Sequence, residues 1–192
     1  MKQLIKDNGK KKILKEQNFQ KKTLGIVGFG NVGVRLSNLV KGFDMNILVN
    51  SKSLESRKKD YPHVKNVSFE DLISNSDIIS FHCKSAKDGK PLITKEHYKK
   101  MKPTAYIINA ARGNIVDEKD LNEALNENLI AGAALDVYSK EPAKENVLFN
   151  NPKAILTPHI AASTTEASIV VAEMVANQIS DFLLNGVKIN TV

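Results

Sequence analysis

Gly28-Phe29-Gly30-Asn31-Val32-Gly33 decides how the rest of this chain is read. A short apolar run, Leu24-Gly25-Ile26-Val27, precedes it and reads as a buried strand. Val34-Arg35-Leu36-Ser37-Asn38-Leu39-Val40 follows, with apolar residues at roughly helical spacing. A G-x-G-x-x-G between strand and helix is the setting that a dinucleotide-binding turn requires. Gly28 permits the tight turn out of the strand, Gly30 lets the backbone approach a pyrophosphate, and Gly33 lets the helix pack closely on the sheet. The free N–H groups and positive dipole end of the new helix then hold phosphate charge. Without those flanks, the motif would be only a Gly-rich turn in some other α/β protein.

Working outward, strands and helices alternate. Strands are expected at 23–28, 45–49, 64–67, 77–81, 105–108, 131–137 and 154–156. Helices are expected at 31–41, after the cap Ser68-Phe69-Glu70-Asp71, at 94–101, and from Asp117 to about Asn126. A final long helix opens at the capping-box pattern Ser163-Thr164-Thr165-Glu166, runs to about Leu184 and stops at Gly186. This alternation predicts an α/β fold, a Rossmann-type doubly wound parallel sheet covered on both faces. Residues 23–162 read as the dinucleotide-binding domain. Residues 1–22, a poor amphipathic helix with Leu4, Ile5, Ile13 and Leu14 among lysines, and residues 163–192 read as foreign to it.

The totals narrow the function classes. A chain of 192 residues, 42% hydrophobic and 26% charged, is long enough for one domain with a substantial core. No apolar run approaches the ~18 residues of a membrane span, and the Lys-rich start lacks the apolar core of a signal peptide. No membrane partner is therefore expected, and the single Cys83 fits a reducing cytoplasm. The net charge of +7 would suggest nucleic acid, but eight lysines against Asp7 and Glu16 place +6 of it in residues 1–22. The remainder is nearly neutral, so nucleic-acid binding is not expected.

In an open parallel sheet, ligands bind beyond the carboxyl ends of the strands. The residues expected there are the glycine turn, then Asn50, Ser51 and Lys52, then His82 and Cys83, then Ala110, Ala111 and Arg112, then Asp136 and Glu141, and last His159. An arginine there can grip a carboxylate with two bonds. A histidine can move a proton near neutral pH, and a glutamate beside it favours the protonated ring and fixes its orientation. Taken singly, Arg112 could be a surface ion pair, Glu141 a solvated acid and His159 a turn histidine. His82 reads as a wall, not as an acid or base, and no residues are assigned to a metal.

Asn109-Ala-Ala-Arg-Gly113, Asp136-Val-Tyr-Ser-Lys-Glu-Pro142 and Pro158-His-Ile-Ala-Ala-Ser-Thr164, behind the glycine motif, resemble the D-isomer-specific 2-hydroxyacid dehydrogenases over about residues 12–192. Pro158 to Glu166 is most similar to the D-3-phosphoglycerate dehydrogenases. The resemblance implies an enzyme that uses NAD or NADP and a small 2-hydroxy or 2-oxo acid. The expected substrate is 3-phosphoglycerate, in serine biosynthesis. Glyoxylate or hydroxypyruvate reduction is an alternative, as is a non-catalytic corepressor-like module that only binds the cofactor. An inactive remnant of a longer gene is a further alternative. The resemblance also implies that Arg112 binds the substrate carboxylate, that His159 is the acid/base, that Glu141 pairs with it, and that Asp136 meets the nicotinamide end. The complete protein is expected to be a homodimer.

Three departures from the family stand out. The family's acid at the end of strand two is missing; the chain reads Val49-Asn50-Ser51-Lys52, with Arg57 and Lys58 nearby. NADP is therefore tolerated or preferred, unless Asn50 and Ser51 bond the ribose well enough for NAD; the sequence leaves the two level. Lys84 stands where the family usually has a proline. The segment that supplies most of the substrate domain is expected to be missing, so residues 1–22 read as a remnant of its crossover helix and residues 163–192 as the C-terminal helix and tail of that domain. The last helix should then expose Ile169, Ala172, Val175, Ile179 and Phe182.

Overall fold

A computed structural model describes residues 18–190, with the backbone of Lys6–Asp7 and Lys10–Lys11 before them. Most of the helix expected at the start lies outside the described residues. Where that backbone is described it does not support a helix: Lys6 pairs with Lys11, and Asp7 with Lys10, as antiparallel partners.

The main sheet has seven strands: β1 (Thr23–Val27), β2 (Asn46–Asn50), β3 (Lys65–Asn66), β4 (Ile78–Phe81), β5 (Tyr106–Asn109), β6 (Gly132–Leu135) and β7 (Ala154–Leu156). All pairings are parallel, in the order β3-β2-β1-β4-β5-β6-β7. Every strand read from the sequence is present, and the order reverses between β1 and β4, which opens the crevice of a doubly wound sheet. The helices are α1 (Asn31–Leu39), α2 (Phe69–Asn75), α3 (Lys95–Tyr98), α4 (Glu118–Asn126) and α5 (Thr165–Asn185). Their starts follow the local chemistry. Ser68 accepts from the Asp71 N–H at 3.0 Å, and Asp117 accepts from Lys119 and Asp120 at 2.9 and 3.0 Å. Thr164, not Ser163, caps α5, accepting from Ala167 at 3.0 Å.

The sheet's two faces are not equally covered. On one, Val27, Ile79, Phe81, Ile107, Ala133 and Leu135 pack under Leu72 and Ile73 of α2, Tyr98 of α3, and Leu121, Ala124 and Leu125 of α4. On the other, Leu24, Ile26, Ile47 and Val49 pack with Phe29, Leu54 and the partly buried Val34 and Leu36 of α1. Past β1 this second layer reaches only the partly buried Ile78 of β4. Beyond it Tyr106 is 42% exposed and Ile155 72% exposed, and among the described residues no element covers them. The expectation of cover on both faces is corrected for this half. Right-handed crossovers explain it: α1 belongs to the connection running one way from β1, while α2, α3 and α4 run the other way and lie on the opposite face.

α5 buries none of its 21 residues. Ile169, Ala172, Val175, Ile179 and Phe182 are all exposed, as expected, with Val170, Val171, Met174, Leu183 and Leu184 beside them. By length and composition alone this helix could cross a membrane, which corrects the reading that no run reaches that size.

Candidate active site

The strands end level. Across the sheet Asn50, Val27, Phe81, Asn109, Leu135 and Leu156 are lateral neighbours. The residues that follow them — Ser51, Gly28, His82, Ala110, Asp136 and Thr157 — therefore form one row along the carboxyl edge. At about 4.8 Å per strand the row spans roughly 24 Å. Almost every residue singled out from the sequence lies on or just after it.

The glycine turn sits where strand order reverses. Gly28 has φ of +93°, and a Cβ there would meet the His82 carbonyl oxygen at 2.6 Å. A Cβ on Gly33 would lie 2.4 Å from the Gly28 carbonyl oxygen, so α1 packs on the turn at backbone distance. Gly30 differs: a Cβ there would meet nothing within 4 Å. It faces open space at the start of α1, whose first turn has no side-chain cap. Free N–H groups, open room and no acid in that turn suit a phosphate, so these residues fit the dinucleotide expected of them. Phe29 is buried, while Asn31 and Val32 are exposed beside it.

At the other end of the row three loops meet. His159 Nδ1 lies 2.7 Å from Glu141 Oε2, and the histidine side chain is 56% exposed. Glu141 Oε1 accepts from the Tyr138 N–H at 2.9 Å. That bond first, and His159 second, hold the Glu141 carboxyl below its ordinary pKa. His159 itself has φ of +56°, a left-handed conformation that costs a non-glycine residue roughly 1–3 kcal/mol. The surrounding bonds hold it there. Asp136, only 6% exposed, accepts from the Thr157 hydroxyl at 2.5 Å, the Ile160 N–H at 2.9 Å and the Ala161 N–H at 2.8 Å. Burial alone would raise its pKa, but these three donors outweigh it and the net shift is downward. The Tyr138 hydroxyl donates to the Thr157 carbonyl at 2.9 Å. In this structure, then, Asp136 ties down the histidine loop through those three bonds.

Arg112 stands at the end of β5 and is exposed, with Nη1 donating to the Ala111 carbonyl at 2.6 Å. Its turn is tied down by Asn109, which is fully buried. The Asn109 amide donates to the Arg112 carbonyl at 2.9 Å and accepts from the Ala111 N–H at 3.1 Å. Gly113 then passes so close to Tyr138 that a Cβ would lie 1.8 Å from its carbonyl oxygen. Tyr138 thus touches all three loops: Glu141 through its N–H, the His159 loop through its hydroxyl, and the Arg112 turn through its carbonyl. Asn109, Gly113 and Tyr138 lay inside the quoted motifs, but nothing in the sequence separated their supporting roles from those of their neighbours.

Other expected residues stand apart. The His82 ring meets Ser80 Oγ at 2.9 Å and lines an apolar hollow of about 490 Å³ with Val32, Leu36, Leu39 and Ile108. Burial lowers its pKa. Cys83 is partly buried and its thiol is pushed up by that burial. Ala110 is exposed and Ala111 half-buried at the β5 turn. At strand two the Asn50 carbonyl accepts from the Gly28 N–H at 3.0 Å, and Ser51 Oγ lies 3.0 Å from Ser53 Oγ. Lys52 is exposed.

Comparison with known proteins shows the family and the fold. The family described as D-isomer specific 2-hydroxyacid dehydrogenase, NAD binding domain, matches residues 1–161. A glyoxylate reductase of Thermococcus litoralis is 40% identical over 171 residues, which are 89% of this chain and 52% of that protein. A D-3-phosphoglycerate dehydrogenase of Archaeoglobus fulgidus is also 40% identical, over 82% of this chain and 30% of its own length. Among solved structures, a glyoxylate reductase from Paecilomyes thermophila superposes with a TM-score of 0.82 at 33% identity, covering 94% of this chain and 54% of that one. The chain thus spans about half the length of the Thermococcus relative, and less of the Archaeoglobus one.

Proposed function

The chain belongs to the D-isomer specific 2-hydroxyacid dehydrogenases through their NAD-binding domain, and from that premise we propose that it is the dinucleotide half of an oxidoreductase acting on a D-2-hydroxy acid. The observation that carries this reading is the His159–Glu141 pair at 2.7 Å. Its two side chains come from the loops after β6 and β7, three and four strands from β1 in the sheet order. Such a pair has no evident structural task, because both side chains are largely outside the core.

The chemistry follows from the side chains. A nicotinamide, when bound, supplies or accepts the hydride. Gly28 to Gly33 and the start of α1 hold the pyrophosphate. Arg112 takes the substrate carboxylate in a two-bond grip and polarises the adjacent carbonyl. His159 has Nδ1 committed to Glu141, so Nε2 is the nitrogen that gives a proton to the substrate oxygen in reduction and takes it back in oxidation. Glu141, kept ionised by the Tyr138 N–H and by His159, stabilises the protonated ring and fixes its orientation.

Among substrates, 3-phosphoglycerate is favoured by the stretch Pro158 to Glu166, which would place the complete protein, as a cytoplasmic homodimer, in serine biosynthesis. Glyoxylate is the second reading, because a glyoxylate reductase matches at equal identity. Turnover of 3-phosphoglycerate, glyoxylate and hydroxypyruvate by the complete protein separates them. His159→Ala should lower kcat by about 10²–10⁴-fold while cofactor affinity is kept. Unchanged turnover in that variant would overturn the acid/base assignment. Cofactor binding without turnover of any 2-hydroxy acid would leave a binding module.

A further inference from the structure

We infer that the loop after β2 is built for a 2′-phosphate, so that this chain prefers NADP(H) to NAD(H). The inference rests on the dinucleotide reading above and concerns only the adenosine end of that site. In NAD-preferring sites a carboxylate at the end of the second strand accepts from the ribose hydroxyls and repels a phosphate. Here the strand ends Asn50-Ser51-Lys52-Ser53, and no acid occupies that position.

The structure also narrows the neutral alternative, in which Asn50 and Ser51 would serve NAD by bonding the ribose. The Asn50 amide is committed to the Val67 carbonyl at 2.9 Å, and the Ser51 hydroxyl is already paired with Ser53. What stands beside the glycine turn is cationic. Arg57 reaches back over the loop, donating from Nη2 to the Phe29 carbonyl at 2.8 Å and to Ser53 Oγ at 3.2 Å, and from Nε to the Ser53 carbonyl at 3.1 Å. Its guanidinium carbon lies 5.7 Å from the centre of the Tyr61 ring. The guanidinium is thus fixed against the second residue of the glycine motif, and Nη1 has no protein partner among the described residues. The nearest acid in sequence does not oppose it. Glu55 is tied to Lys58 at 2.7 Å and to the Asn66 amide, and these bonds hold its carboxyl in the ionised form. Lys52 adds a second cation with no ion pair among the described residues. The fixed guanidinium and the lysine supply two positive charges for a doubly charged phosphate, charges that a neutral diol does not need.

Binding tests this without turnover. The chain is titrated with NADPH and with NADH, following the fluorescence of the reduced nicotinamide, and 2′,5′-ADP and 5′-ADP are compared as competitors. NADPH should bind about tenfold or more tightly, and its affinity should fall more steeply with salt than that of NADH. Arg57→Gln should erase most of the difference, with Tm recorded to show that the fold survives. Ser51→Asp, which restores a carboxylate at the strand end without touching Arg57, should reverse the preference. Equal affinities, or tighter NADH, would overturn the inference and leave the dinucleotide reading standing. Binding of neither cofactor by folded chain would overturn both.

Discussion

At the scale of single residues, Tyr138 and Asp136 carry the support of the candidate site. The Tyr138 hydroxyl makes one bond, to the Thr157 carbonyl, and burial pushes its pKa up so that it stays a donor. Tyr138→Phe should therefore cost about 1 kcal/mol in urea unfolding and lower kcat of the complete protein while KM for the cofactor is unchanged. Asp136→Asn removes the charge that three donors share and should cost roughly 1.5–3 kcal/mol at neutral pH. Its pH signature follows from the depressed pKa. The stability from this carboxylate is complete above the ordinary Asp value of about 3.9 and is lost as pH falls through the lower folded value. Wild type should thus lose more stability than Asp136→Asn between pH 5 and pH 2, as read by urea midpoints. Sequence alone marked Arg112, Glu141 and His159 by their motifs. The resemblance implied that Glu141 pairs with His159, but the 2.7 Å contact across eighteen positions is set by how β6 and β7 lie side by side. The sequence could not show that Asp136 turns to the histidine loop, since the same carboxylate could serve either neighbour until the loop's N–H groups had a direction.

At the scale of elements, the glycines divide into two kinds, and substitution distinguishes them. A Cβ on Gly113 has no room beside Tyr138, so Gly113→Ala should cost about 3 kcal/mol or prevent folding, and should displace Arg112 with it. Gly30→Ala meets open space and should change stability by less than about 1 kcal/mol, yet weaken NADPH binding because the methyl stands where the pyrophosphate comes close. Denaturation and fluorescence titration on the same two variants would give opposite rankings. The elements themselves were legible because apolar runs, caps and glycines agree locally: β1, β4 and β5 are short apolar runs, and Ser68, Asp117 and Gly186 mark ends that the structure retains. What local patterns do not contain is which side a crossover takes. The uncovered half of the sheet beyond β1 therefore follows from handedness, and no residue in β5 or β7 announces it.

At the scale of the whole molecule, two apolar surfaces stand open among the described residues: the sheet beyond β1, through Tyr106, Ile108 and Ile155, and the length of α5. Surfaces of this size favour association. Sedimentation should show a weight-average mass that rises with concentration, and Ile179→Glu with Phe182→Glu should reduce that rise without lowering the Tm of the sheet. That α5 buries none of its residues has another consequence, in time and not in energy. A helix with no buried residue is protected from solvent mainly by its own ladder of bonds, and such a helix of 21 residues is near the limit of standing alone in water. Its amides should take up deuterium within seconds to minutes, while those of β1, β4 and β5 hold their protons for as long as the sheet stays closed. A protease should cut first within Thr165–Asn185 and leave the parallel sheet as the persistent fragment.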